Sequence, residues 1–227
     1  VKVGDRVLIR LPNSLDYPIA FLGAMKMGAI SVPTSTLLTA EEVAYLAKDS
    51  GATVLVTDAA AWEVMAGEIE NSLGKSPTLK HVLLSQAVET KPHRTFNVLN
   101  LVASLQVTQK CDAPYKTQSN DPAYLVYTSG TTGYPKGVLH AHRSLLGRQP
   151  AAKYWFNYSD TLQDRIMHSG KFNWTYVLGT GLMDPLYLGK TVIVHEGKND
   201  AQKWLDLIQK HAATIFIGVP TIYRQIL

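Results

Sequence analysis

The residues best able to do chemistry sit together in Tyr127-Thr128-Ser129-Gly130-Thr131-Thr132-Gly133-Tyr134-Pro135-Lys136-Gly137. Thr128, Ser129, Thr131 and Thr132 supply hydroxyl donors, and Lys136 supplies a mobile positive charge. Gly130, Gly133 and Gly137 let the backbone turn sharply, so that successive N–H groups converge on an anion. That combination suits a polyphosphate, and a nucleoside triphosphate is the first candidate. The spacing excludes two common phosphate loops. Lys136 follows Pro135 and precedes Gly137, so the Gly-Lys-Ser/Thr end of a Walker loop is missing. The three glycines also lack the G-x-G-x-x-G spacing of a dinucleotide fingerprint. An ordinary Gly/Thr hairpin turn is the plain alternative.

The elements that must position this segment alternate between strand and helix. Arg6 to Leu11 reads as a strand that stops at Pro12-Asn13-Ser14, with Ser14 as cap of a helix ending at Gly28. Ile30 to Pro33 is a short strand, and Thr39-Ala40-Glu41-Glu42 is a capping box opening a helix closed by Gly51. Thr53 to Thr57 reads as strand, Ala59 to Ile69 as helix, His81 to Leu84 as strand and Asn97 to Leu105 as helix. Ala123 to Tyr127 is the strand feeding the phosphate segment, and Gly137 to His140 is a returning strand before a helix from about Ser144. Beyond it the pattern predicts strand over Arg165–His168, helix over Tyr176–Leu188 and strand over Thr191–His195. A helix presenting Trp204, Leu207, Ile208 and His211, a strand over Ala213–Ile217 and a helix from Pro220 complete it. Such alternation argues an α/β fold with largely parallel sheets.

Composition narrows the function classes. The 227 residues carry 46% hydrophobic and 18% charged side chains, ordinary for a soluble globular protein with a sizeable core. The net charge of +4 is spread without a basic block, so neither nucleic acid nor a membrane surface is indicated. The single cysteine, Cys111, excludes an intramolecular disulfide and agrees with a reducing, cytoplasmic setting. His140 and His142 are near one another, but no cysteine or carboxylate cluster completes a metal site. No apolar run reaches membrane-spanning length, and the chain opens at Val1 as if excised from something longer.

The segment Thr128–Gly137 resembles the phosphate-binding signature of the adenylate-forming (AMP-binding) enzymes, among them acyl- and aryl-CoA ligases, luciferases and peptide-synthetase adenylation domains. The likeness extends from about Gly4 to Leu227. Thr36-Leu37-Leu38-Thr39-Ala40 with Lys48-Asp49-Ser50, and Lys171 to Gly179 with Asp184-Pro185-Leu186, are similar to the benzoate-CoA ligase branch. The resemblance implies two adjacent layered α/β lobes. Residues 1–152 would form the first, with the loop at 128–137, and 153–227 would begin an incomplete second, the mobile C-terminal domain being absent. It implies formation of an acyl-adenylate from a small carboxylic acid and Mg-ATP, then transfer to a thiol, usually coenzyme A. Thr128, Ser129, Gly130, Thr131, Thr132, Gly133 and Lys136 would cradle the β- and γ-phosphates, with Lys136 as the catalytic cation. His142 stands where relatives often place a histidine near the nucleotide, with capping or packing as its other reading. Trp174, Tyr176 and Gly179 match positions lining the acid pocket, suited to a flat ring or a short alkyl chain; core packing of an aromatic helix face is the alternative. His168 and Lys171 would mark the mouth of that pocket.

Three family features are not in these residues: the Tyr-Gly-x-Thr-Glu segment serving magnesium, the ribose-holding aspartate and the C-terminal lysine. The missing C-terminal part is therefore an expected partner, and the segment alone is expected to be inactive. A non-catalytic phosphate- or nucleotide-binding module, or part of a peptide-synthetase adenylation domain, are the alternative readings. Acid-dependent ATP turnover, measured on these residues alone, is expected at the blank rate; turnover above it would overturn that expectation.

Overall fold

Short β-branched segments that alternate with helices must lie parallel, because each helix carries the chain back to the same end of the sheet. The computed structural model describes residues 1–74, 78–86, 89–107, 113–128, 133–161, 163–197 and 200–227, and realises this pattern as two compact units. Val1–Leu11 with Asp16–His142 forms the first, and Pro12–Leu15 with Arg143–Leu227 forms the second.

In the first unit the chain runs β1 (Arg6–Arg10), α1 (Asp16–Lys26), β2 (Ile30–Pro33), α2 (Ala40–Ser50), β3 (Ala52–Asp58), α3 (Ala59–Leu73) and β4 (His81–Ser85). It continues through β5 (Asn97–Asn100), α4 (Leu101–Val107), β6 (Pro122–Thr128) and β7 (Lys136–Ala141). Among the described residues these strands make one seven-stranded sheet in the order β5-β4-β3-β1-β2-β6-β7. Every neighbouring pair is parallel except β6 with β7. Because successive side chains point to opposite faces, Leu125 joins Val43 and Leu46 of α2 in one core while Tyr124 meets Phe21 of α1 at 5.9 Å on the other.

α2 is held at both ends. Thr39 Oγ1 accepts the Glu42 N–H at 3.3 Å and Glu42 Oε2 accepts the Thr39 N–H at 2.8 Å, the capping box the sequence predicts. At the other end Gly51 takes the left-handed conformation (φ 64°), and Arg6 donates to the Ser50 and Gly51 carbonyls at 2.6 and 2.8 Å. A guanidinium on the last carbonyls also suits the negative end of the helix dipole.

Two expectations are corrected. Ser14 caps nothing: α1 starts at Asp16, and the Ser14 Oγ is buried without a hydrogen-bond partner. The helix expected over Asn97–Leu105 is a strand then a helix. Asn97–Asn100 pairs with β4, and the Asn100 side chain accepts the Ala103 N–H at 2.8 Å, so helix begins only after it.

The second unit contains α5 (Ser144–Gly147), α6 (Gln149–Tyr154), β8 (Arg165–His168), α7 (Thr175–Val177), a π-helical stretch (Leu178–Met183) and α8 (Asp184–Tyr187). β9 (Thr191–Ile193), α9 (Ala201–Lys210), β10 (Ile215–Ile217) and α10 (Pro220–Ile226) follow. Its three strands are parallel in the order β10-β8-β9. Ile166 and Met167, adjacent on β8, bury into different clusters, one with Ala152 and Ile217 and the other with Trp204 and Ile222.

The helix expected over Tyr176–Leu188 is present, but its middle is wound as a π-helix. Pro185 supplies the cause: it has no N–H for the Gly181 carbonyl, and its ring would press on that group in an α-helix. Asp184, wholly buried beside it, takes a two-pronged ion pair from Arg148, with Nε to Oδ1 at 2.9 Å and Nη2 to Oδ2 at 2.8 Å. Removing Arg148 would strand a buried carboxylate. Arg148→Ala is expected to destabilise the fold by about 3–5 kcal/mol in urea titrations, whereas Arg148→Met with Asp184→Leu should recover most of that loss.

Candidate functional site

In the first unit the phosphate segment is the connection of the β6–β7 hairpin. Thr128 is the last residue of β6 and Lys136 the first of β7, and they are paired across the ladder. Directly opposed side chains project from the same face, so a hydroxyl and an ammonium stand side by side where the loop begins and ends. Both residues are exposed. Gly133 has φ 107°, which an L side chain rarely adopts, and so requires glycine. Ser129, Gly130, Thr131 and Thr132 lie outside the described residues.

One register step back, Tyr127 faces Gly137. A Cβ at position 137 would lie 3.0 Å from Leu125 Cδ1, so the glycine leaves room for that leucine, while Tyr127 Cζ would stand at an ordinary contact distance of 3.5 Å. The phenol reaches across to α2 and donates to Asp49 Oδ2 at 2.5 Å. Burial, then the hydrogen bond to Asp49 and its charge, push the Tyr127 hydroxyl well above its usual pKa, so it remains a donor.

His142 follows β7. Its N–H donates to the Asp121 carbonyl at 3.0 Å, while its Nε2 is buried with no hydrogen-bond partner. His140, two residues earlier, lies flat on Tyr124 at 4.5 Å.

The second unit brings Trp174 and Tyr176 together and surrounds them differently from Gly179. The two rings pack edge to face at 5.9 Å, and both remain about half exposed, at 50% and 43%. Tyr176 also meets His168 edge-on at 5.6 Å. Gly179 belongs to the π-helical stretch and is buried, with its α-carbon facing the Arg148 guanidinium, into which any Cβ there would run. The space beside Gly179 is therefore filled by an arginine from α5–α6. His168 Nδ1 accepts the Gly170 N–H at 3.0 Å, and Nε2 is buried without a partner. Lys171 is exposed beside it.

Sequence reasoning missed the residues that hold these groups in place. Asn13, read as part of a strand stop, belongs to the second unit. Its Oδ1 accepts the Phe172 N–H at 2.9 Å and its Nδ2 donates to the Gly170 carbonyl at 2.9 Å, which fixes the lead-in to Trp174. Tyr45, Asp49 and Arg148 likewise carry no spacing signal, because their partners are distant in the chain. Clefts of about 360 Å³ beside Trp62 and His93, and of about 260 Å³ beside Lys153 and Lys190, contain none of the candidate residues. Among the described residues no cluster of His, Cys, Asp and Glu could hold a metal ion, and no helix is long and apolar enough to cross a membrane.

The sequence profile described as AMP-binding enzyme matches residues 1–227. The chain belongs to the AMP-binding enzyme family. It is 31% identical over 227 residues to the 4-hydroxybenzoate–CoA/benzoate–CoA ligase of Rhodopseudomonas palustris, covering 100% of this chain and 40% of that protein. A crystal structure of anthranilate CoA ligase AuaEII in complex with anthranoyl-AMP matches with TM-score 0.82 and 28% identity, over 98% of this chain and 41% of that one. The acyl-CoA synthetase of Brucella canis matches in fold, with TM-score 0.85 at 24% identity over 99% of this chain and 39% of that one. The chain thus spans about two-fifths of the length of these relatives.

His168 generates a pH prediction. It is 6% exposed, and burial pushes its pKa down from 6.5 to about 4. Unfolded chains take up the proton near pH 6.5, folded ones only near 4, so this contribution is intact above 6.5 and drains away as pH falls toward 4. The loss amounts to about 3 kcal/mol. Urea unfolding at pH 7 and pH 4.5 should show a smaller acid-induced loss in His168→Gln than in the unsubstituted protein. Some loss should persist, because burial also lowers the His195 pKa.

Proposed function

We propose that this chain carries the phosphate-gripping and acid-holding parts of an ATP-dependent acid–CoA ligase, and that the acid is a flat aromatic carboxylate. The observation that carries the reading is the Thr128–Lys136 pair, which closes the family's phosphate signature with a hydroxyl and an ammonium on one face. In the reaction, a carboxylate oxygen attacks the α-phosphorus of ATP. The bond from that phosphorus to the bridging oxygen breaks, and pyrophosphate leaves with the electron pair. The thiolate of coenzyme A then attacks the acyl carbonyl and expels AMP.

Charge builds on the departing pyrophosphate, so fixed donors and a cation at that point lower the barrier. Lys136 supplies the cation and Thr128 a hydroxyl; Ser129, Gly130, Thr131, Thr132 and Gly133 supply backbone N–H groups and further hydroxyls. Magnesium arrives as part of the ATP complex. His142, with a buried Nε2 that has no hydrogen-bond partner, is assigned to the nucleotide side of the loop. For the acid, the edge-to-face pair of Trp174 and Tyr176 offers half-exposed ring surface on which an arene can pack. Gly179 contributes indirectly, its missing side chain leaving room for the Arg148 guanidinium that pairs with Asp184. Relatives described as benzoate, hydroxybenzoate and anthranilate CoA ligases support the aromatic choice.

Acid-dependent exchange of pyrophosphate into ATP tests the reading, using the full-length protein that carries this chain. Exchange with benzoate or 4-hydroxybenzoate should exceed that with acetate or octanoate, and Lys136→Ala should lower it roughly 10²- to 10³-fold. Unchanged exchange in Lys136→Ala would overturn the phosphate assignment. A preference for acetate or octanoate would overturn the aromatic one.

A further inference from the structure

One face of α2 grips both ends of the phosphate segment. Tyr45 and Asp49 are four residues apart on that helix and therefore neighbours on its surface. Asp49 holds the Tyr127 hydroxyl at 2.5 Å, and Tyr127 is the residue immediately before Thr128. Tyr45 meets the other end. Its ring stacks on Tyr134 at 5.0 Å with 24° between planes, and its hydroxyl donates to the Pro135 carbonyl at 3.4 Å, immediately before Lys136. Tyr134 is 72% exposed, and among the described residues the stack with Tyr45 is its ring contact.

Strand alternation separates this grip from the ligand side. Tyr127 points toward α2 with Leu125, whereas Thr128 and Lys136 project from the opposite face of the hairpin. The grip also has a firm base, since α2 is capped by Thr39 and Glu42 at its start and by Arg6 at its end. A displacement of α2 would shift both ends of the segment together.

We infer that Tyr45 and Asp49 are positioning residues for the phosphate grip, acting through Tyr127 and Tyr134 to set where Thr128 and Lys136 stand. The inference rests on the proposed role of the loop and extends it to a helix that carries none of the signature. Tyr45 works by ring stacking more than by its long hydrogen bond, and Asp49 works by a short, charge-assisted one.

The test compares Tyr45→Ala, Tyr45→Phe, Tyr127→Phe and Lys136→Ala in the full-length protein. Readouts are the KM for ATP, the KM for the acid, kcat and the thermal midpoint. Tyr45→Ala and Tyr127→Phe are expected to raise the ATP KM roughly tenfold and leave the acid KM unchanged. Tyr45→Phe keeps the stack, and its ATP KM should stay within about twofold of the unsubstituted enzyme. A role in folding alone would lower the thermal midpoint and the active fraction with both KM values unmoved, and that result would overturn the inference. So would an equal rise in the two KM values. If Tyr45→Ala and Tyr127→Phe keep the normal ATP KM while Lys136→Ala is defective, the grip by α2 falls and the ligase reading stands. A Lys136→Ala enzyme as active as the unsubstituted one would remove both.

Discussion

The antiparallel pairing of β6 with β7 is the constraint on which the phosphate segment depends. In an otherwise parallel sheet each connection leaves the strand end and travels a dozen or more residues before returning. Here β6 ends at Thr128 and its antiparallel partner β7 already starts at Lys136. The two residues flanking the turn are thereby held about 5 Å apart by the ladder itself, whatever the turn between them does. A hydroxyl and a lysine at those positions become neighbours through backbone hydrogen bonding; the ladder fixes their spacing, and where the pair stands relative to α2 is left to side-chain contacts. Gly137 serves the same arrangement from within β7, because a side chain there would press against Leu125.

In the second unit the corresponding role falls to a buried charge. Asp184 sits where the π-helical turns give way to α-helix, and it is neutralised by an arginine that also covers Gly179. The widened helix, the missing side chain and the ion pair are thus one arrangement. Pro185 disfavours regular α-helical bonding, the π turns absorb the displacement, and Arg148 secures the outcome. π-helical turns occur often at functional sites, and here they carry the stretch next to Trp174 and Tyr176.

Much of the fold was legible from local signals. The capping box at Thr39, the left-handed Gly51, the β-branched strand before Asp58 and the hairpin around the signature each rest on residues within a few positions of one another. The same locality explains the failures. Ser14 looks like a cap because its type favours one, yet the chain there joins the second unit, where Asn13 binds the backbone of Gly170 and Phe172. Asn97–Asn100 reads as helix by its apolar spacing, but pairing with β4 overrides that preference. At the site, the groups with distinctive chemistry were visible in the signature. Their supports were not, because Asp49 lies 78 residues from Tyr127 and Arg148 lies 36 from Asp184.

The close approach of Leu125 to the bare backbone of Gly137 also bears on how this segment can change over evolutionary time. A side chain at 137 would meet the Tyr127 ring at ordinary contact distance, 3.5 Å, but would press on Leu125 Cδ1 at 3.0 Å. Leu125 is packed into the core beside α2, so it has to give way before position 137 can gain a side chain. Drift at 125 and 137 is therefore coupled, a smaller residue at the first easing a larger one at the second. The glycine after the lysine answers to the leucine packed against it as well as to the loop it closes.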